Sequence, residues 1–281
     1  MKEFRDRVAV ITGAAGGIGR ALADRCCAEG MQVVLADSDV SVLRRAEQEL
    51  REQGATVRAV PTDVSKLGDL EALARTTLAT FGAVHLLCNN AGVNAGGTTW
   101  ESSHADWEWV LGVNLWGVIH GIRVFLPILL EQQAPAHIVN TASLMGLLTG
   151  PYGAAYKATK HAVVALSEVL YCDLLERGAP VKVSVLCPAF VNTGIFDADR
   201  NLPRGGDGTP FEASRLLPAD QLHQQRLQQM AAVAMAPAEV ANQTFAAIRD
   251  EQFYVLTHPL FDSWIRARME NIVYRRNPRS G

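Results

Sequence analysis

The segment 7–30, RVAVITGAAGGIGRALADRCCAEG, decides how the rest of the chain is read. Residues 7–12 are an unbroken run of mainly apolar and β-branched side chains, the pattern of a strand covered on both faces. TGAAGGIG at 12–19 follows without a spacer, and its glycines let the backbone turn sharply and approach another group closely. From Gly17 to Gly30 small and apolar residues recur at helical spacing. The unit is strand, glycine turn, helix, and the chain repeats its rhythm. Further strand patterns fall at 32–37, 56–63, 84–90, 136–143, 181–188 and 253–257. Helical patterns lie between them at 39–53, 66–81, 103–132, 151–178 and 237–250.

Such alternation forces right-handed crossovers and a parallel sheet. The expected fold is α/β: Rossmann-type and doubly wound, a seven-stranded parallel sheet with helices on both faces, in one domain over 1–281. One stretch breaks the rhythm. From 194 to 236 no strand is expected, and NLPRGGDGTP at 201–210 has the composition of a loop. It leaves the sheet after a strand, at the carboxyl edge where these folds bind ligands, and reads as a lid or substrate loop.

Composition narrows the function. The 281 residues are 48% hydrophobic and 20% charged, with a formal net charge of −3, so no basic field exists to hold nucleic acid. The arginines near the C-terminus (Arg266, Arg268, Arg275, Arg276, Arg279) read as a solvated helix end and tail. The N-terminus lacks a secretory pattern, and no uninterrupted apolar run approaches the length of a membrane span. Five cysteines without a CxxC pair point to a reducing, cytoplasmic setting. The seven histidines form no metal-like cluster, so no metal is expected.

The glycine turn at the start of a helix presents unpaired N–H groups and a partial positive charge, which suit a pyrophosphate. Asp37 closes VVLAD, 18 residues after Gly19. A carboxylate there accepts hydrogen bonds from a ribose and repels a 2′-phosphate, which favours NAD over NADP. The competing role for Asp37 is only to cap the helix starting near Ser38. Farther on, YGAAYKATKHAVVALS (152–167) places Tyr156 and Lys160 four apart on one helix face. A free phenol has a pKa of about 10 and is a poor base at neutral pH, and a nearby cation should lower it.

These pieces resemble the short-chain dehydrogenases/reductases. TGAAGGIG is similar to that family's TGxxxGxG fingerprint, NNAG (89–92) to its second motif and YKATK (156–160) to its YxxxK motif. TDV (62–64) resembles its adenine-contacting segment. Asn114 in VNLWG, Ser143 in NTAS and PAFVNT (188–193) fall where the family keeps a catalytic asparagine, a catalytic serine and a nicotinamide-holding segment. The resemblance implies an NAD-dependent oxidoreductase that interconverts a secondary alcohol and a ketone. Tyr156 would be the general acid/base and Ser143 the partner of the substrate oxygen. Lys160 would bind the nicotinamide ribose, and Asn114 would hold a relay water. The implied cofactor set is Gly13, Gly17, Ile18, Gly19 and Asp37 with Asp63 and Val64. It continues with Asn90, Ala91 and Gly92, then Tyr156 and Lys160, then Pro188, Val191 and Thr193. Asn89 and Asn90 read also as braces between central strands. The substrate would meet Ser143, Met145, Tyr156 and Phe190.

The chain has Pro188-Ala189 where the family often has proline-glycine. The loop 194–236 matches nothing transferable. Its Ile195, Phe196, Phe211, Leu216 and Leu217, with Met145, Leu147, Leu148 and Phe190, suggest a small-molecule substrate that is mainly apolar. Arg200 and Arg204 keep a hydroxy acid open as a second class. An acyl-carrier-bound ketone reduced with NADP is a further possibility, as is a non-catalytic dinucleotide-binding regulator. Lys157 faces about 100° from Tyr156 and reads as solvated. By resemblance, helices 103–132 and 151–178 imply a homodimer or homotetramer.

Overall fold

The computed structural model describes residues 1–196 and 234–278. Its sheet holds seven strands in the order β3-β2-β1-β4-β5-β6-β7, and every pairing is parallel. They are β1 (Val8–Thr12), β2 (Gln32–Asp37), β3 (Val57–Pro61), β4 (Leu86–Asn89), β5 (Ala136–Thr141), β6 (Val181–Cys187) and β7 (Tyr254–Leu256). The helices between them are α1 (Gly17–Ala28), α2 (Val40–Glu52), α3 (Leu67–Phe81), α4 (His104–Leu111), α5 (Gly117–Glu131), α6 (Ala154–Glu176), α7 (Pro237–Asp250) and α8 (Asp262–Val273).

Side chains alternate along each strand, so a sheet buried on both sides needs two apolar layers. On one face Ala9, Ile11, Val33, Leu35 and Leu186 pack with Leu22 of α1, Leu43 of α2 and Phe245 of α7. On the other, Val10, Val34, Leu87, Ile138 and Val183 pack with Leu70 of α3, Phe125 of α5 and Leu170 of α6. The chain order reverses between β1 and β4, which opens a crevice at the carboxyl edge of those strands.

The helical pattern at 103–132 is one rod in two parts. A π-helical turn, Gly112–Trp116, joins α4 to α5. Residues 104–131 are long and apolar enough to match a membrane span by length and composition. Here Val118, Gly121, Phe125 and Leu129 are buried at helical spacing, and Phe125 and Leu129 pack against the sheet. Approach is close at Gly121, where a Cβ would lie 2.1 Å from Asn89 Oδ1. Helix α8 is missing from the helical patterns read in the sequence. None of its residues is fully buried, and among the described residues no side chain caps its N-terminus, so the usual signals of helix period and start are absent. The basic C-terminal residues Arg266, Arg275 and Arg276 are exposed, on α8 and just after it; Arg279 lies outside the described residues.

Candidate active site

The strand-to-helix turn after β1 is shaped by its glycines. Gly13 and Gly17 have φ of 65° and 55°, in the left-handed region that favours glycine. Gly19 is glycine for space: a Cβ there would lie 2.0 Å from the Gly13 carbonyl oxygen and 2.6 Å from Asn90 Nδ2. Helix α1 begins with Gly16 as its cap. Among the described residues no side chain caps it, and its first turn carries no acid. The N–H groups of that turn therefore face outward with the positive end of the helix dipole, which fits a phosphate group. Asp37 stands beside the turn. Its Oδ2 accepts the Ala15 N–H at 3.0 Å and its Oδ1 accepts the Asp39 N–H at 3.1 Å. Asp39, not Asp37, caps α2, accepting from the backbone of Ser41 and Val42. The capping role for Asp37 therefore does not hold.

The neighbouring strand ends complete this edge. Asp63 accepts from the Ser65 backbone and hydroxyl and pairs with Lys66. Burial raises its pKa, but the hydrogen bonds from Ser65 and Lys66 outweigh that and hold it below the usual carboxylate value. Val64 is buried, and its carbonyl accepts from His120 Nδ1. Asn90 donates from Nδ2 to the carbonyls of Thr12 and Gly13, and its Oδ1 accepts from Thr141. Asn89 donates to Asn140 Oδ1. Both asparagines thus tie β4 to its neighbours. Thr12, absent from the expected site residues, is the hub: its hydroxyl accepts the N–H groups of Asn90 and Ala91. Its place at the head of TGAAGGIG was the available signal.

Tyr156 and Lys160 lie on α6, Ser143 just beyond β5, and Asn114 in the π-helical turn. The Ser143 hydroxyl accepts the Met145 N–H at 3.1 Å and lies 3.4 Å from the Pro188 carbonyl it donates to. Asn114 Oδ1 accepts the Val93 N–H, and its Nδ2 donates to the Val93 carbonyl and to Thr159. Lys160 is buried and gives its ammonium to the Thr141 carbonyl at 2.8 Å. Gly92 borders both Lys160 and Asn114: a Cβ there would lie in ordinary contact, 3.4 Å from Lys160 Nζ and 3.5 Å from Asn114 Oδ1.

Two expectations need correction. The cation next to Tyr156 does not lower its pKa. Burial raises Tyr156 above the ordinary phenol, a hydrogen bond with Ser143 works against this, and Cys187 adds to it. The reason is where Lys160 points. Its ammonium sits over the ring, 5.6 Å from the centroid, and is held by Thr141. Burial also brings Lys160 itself down to about 8, which still leaves it mostly charged at neutral pH. Nor is Lys157 a solvated residue. It curls back to donate to the carbonyls of Pro151 and Tyr152. Those carbonyls belong to a strained turn in which Tyr152 and Gly153 both have φ of 62°.

PAFVNT leaves β6 along the same edge. Pro188 O accepts the Leu144 N–H, Val191 bridges to Met235, and Thr193 lies against Gly17. Met145, Leu148 and Phe190 form an apolar cluster with Phe261 and Ile265. These last two, with His258, come from the C-terminal segment and had no motif to announce them. Of the residues expected in the lid, Ile195 is half-buried. Arg200, Arg204, Phe211, Leu216, Leu217 and most of the expected lid lie outside the described residues.

Comparison with known proteins agrees with this geometry. The short chain dehydrogenase family model matches residues 7–202. The CLA biosynthesis dehydrogenase/reductase of Lactiplantibacillus plantarum is 33% identical over 97% of this chain and 95% of its own length. The 1-deoxy-11-beta-hydroxypentalenate dehydrogenase of Streptomyces exfoliatus is 42% identical over 73% of this chain and 74% of its own. A crystal structure of a short chain dehydrogenase/reductase from Burkholderia phymatum in complex with NAD superimposes with a TM-score of 0.92. The two are 48% identical, and the match covers 100% of this chain and 99% of that one. By fold, by site and by sequence, this chain belongs to the short-chain dehydrogenase/reductase family.

Proposed function

We propose that this chain is an NAD-dependent dehydrogenase that interconverts a secondary alcohol and a ketone, with Tyr156 as its acid/base. The observation that carries the reading is that Tyr156 meets Ser143 while Lys160 and Asn114 both border Gly92, two residues after Asn90, whose amide bonds the glycine turn before α1. The glycine turn, the first turn of α1 and Asp37 would hold the dinucleotide, with Lys160 and the 188–193 segment toward its nicotinamide end. When bound, NAD supplies the ring that accepts or returns hydride. Tyr156 takes the hydroxyl proton of an alcohol and gives it back to a ketone oxygen. Ser143 hydrogen-bonds the same oxygen and steadies charge that develops there. The raised Tyr156 keeps its proton at neutral pH, so the phenol is ready for reduction, and alcohol oxidation should speed up as pH rises.

The apolar cluster around Met145, Leu148 and Phe190 supports an apolar substrate. The Streptomyces relative, whose name describes a hydroxy compound ending in a carboxylate, supports a hydroxy acid as the second reading. The test is NADH formation from NAD with cyclic and aliphatic secondary alcohols against hydroxy acids of similar size. Turnover of none of them would defeat the proposed reaction, and a strong preference for the acids would replace the first substrate class by the second. Asp37 supports NAD over NADP, because its carboxylate would meet a 2′-phosphate as a like charge. kcat/KM should favour NAD, and Asp37→Ala should narrow the gap. Equal or better efficiency with NADP would contradict this assignment.

A further inference from the structure

The segment after β7 reaches the site from the far side of the sheet. β7 lies next to β6, so the residues after β7 lie next to 188–193. His258 Nε2 lies 3.1 Å from the Phe190 carbonyl oxygen, and His258 Nδ1 lies 2.6 Å from the hydroxyl of Thr257, which is buried. A carbonyl only accepts, so Nε2 must carry the proton. Nδ1 is then the acceptor, and the Thr257 hydroxyl donates to it. One tautomer satisfies every group in the chain Thr257–His258–Phe190.

The Phe190 carbonyl is held twice. It also accepts the Met235 N–H at 2.9 Å, and Met235 O accepts the Asn192 N–H at 3.0 Å. The Phe190 and Phe261 rings pack with centroids 6.3 Å apart. Phe190 lies between two contacts that matter to the site. Two residues before it, the Pro188 carbonyl accepts from Ser143. Three residues after it, Thr193 lies so near Gly17 that a Cβ there would be 3.1 Å from the threonine methyl. A shift at Phe190 moves both ends.

We propose that His258 is a positioning residue, which pins the Phe190 carbonyl and so fixes the 188–193 segment against the glycine turn and Ser143. The proposal rests on the proposed function, in which this segment flanks bound NAD. The role is separable from one in stability alone, because it predicts an effect on cofactor affinity that depends on one donor atom. NADH binding to the full chain is measured by fluorescence titration for wild type, His258→Leu and His258→Gln, with thermal melts alongside. His258→Leu should weaken NADH binding by about five- to tenfold, the worth of one part-buried hydrogen bond. His258→Gln, whose amide nitrogen takes the place of Nε2, should recover most of it. In kinetics the loss should fall on KM for NAD more than on kcat. Should His258→Leu not fold, Thr257→Val keeps the imidazole but frees its tautomer, and about a threefold loss of affinity is expected. NADH binding unchanged in His258→Leu or Thr257→Val, or an equal loss in the Leu and Gln variants, would overturn the clamp. Failure of wild type to bind NADH would instead bring down the cofactor reading, and the clamp with it.

Discussion

At Tyr156 two influences on a phenol oppose each other, and burial wins over the hydrogen bond with Ser143. Tyr156→Phe keeps the ring and removes the proton, so NADH binding should persist while turnover falls by at least about a hundredfold, the usual scale of general acid/base catalysis. A mutant with a tenth of wild-type turnover would exclude Tyr156 from that role. The spacing of four in YKATK made the Tyr156–Lys160 pair legible. It did not reveal that the ammonium is taken by Thr141, 19 residues earlier in the chain, because that contact belongs to the sheet and not to the helix. Lys157 is hidden from the sequence for the same reason. Helical angle gives the direction of its Cβ, but the turn at Pro151 and Tyr152 folds under the side chain. Charge-assisted hydrogen bonds there offset the strain at Tyr152 and anchor the first turn of α6, which carries Tyr156. Lys157→Met should therefore lower kcat by about three- to tenfold with NADH affinity unchanged, and Lys157→Arg should lose less. Wild-type kcat in Lys157→Met would show that this anchor does not serve catalysis.

Between residues and the sheet, the turn joining β1 to α1 shows what a motif says and what it leaves out. TGAAGGIG was readable as a tight turn for an anion, yet six of its residues are Gly or Ala, and the letters do not rank them. The structure does. At Gly16 nothing among the described residues lies within 4 Å of an added Cβ, and its φ of −158° is ordinary extended backbone. At Gly19 the added carbon meets main-chain oxygen at 2.0 Å, and backbone cannot step aside as a side-chain tip can. Gly16→Ala should leave NADH affinity within about threefold and shift stability by less than about 1 kcal/mol. Gly19→Ala should displace the turn, cost about 1–3 kcal/mol as an overpacked site does, and weaken NADH binding by more than about tenfold. Isothermal titration and denaturant melts of the two variants decide it; equal behaviour would mean the turn relaxes freely. Helix α8 marks the opposite case, an element that buries no residue fully and sets only Ile265 against an apolar cluster, and so left no helical period to read.

For the whole molecule, the succession of seven parallel strands was legible because strands covered on both faces read as unbroken apolar runs and alternate with helices. Which polar groups the sheet buries was not, since that depends on pairing between distant strands. His137 on β5 is one of them. It is fully buried, and it faces Ser184 on the adjacent β6 at 2.8 Å. Ser184 gives its own proton to the Gln252 carbonyl, so His137 Nε2–H must donate to Ser184. Nδ1 is then a bare acceptor, and among the described residues it has no partner. A proton on that nitrogen would be a buried charge with nothing to receive it. Burial first, then the N-terminal ammonium and Lys182, push the imidazole down to about 3. In the unfolded chain a histidine titrates at about 6.5. Below that value the unfolded chain takes up a proton that the native state refuses, and unfolding gains. The contribution of neutral His137 is therefore present in full above about pH 6.5 and is lost progressively as pH falls through the window toward about 3. His137→Gln keeps a donor for Ser184 and cannot titrate. Relative to that variant, wild type should lose up to about 1.4 kcal/mol of stability for each pH unit between about 6 and 4. Urea unfolding of both proteins across that range measures the difference, which carboxylate titrations common to the two largely cancel. Parallel stability curves would mean that His137 takes up its proton in the folded state, and the neutral buried pair with Ser184 would have to be abandoned.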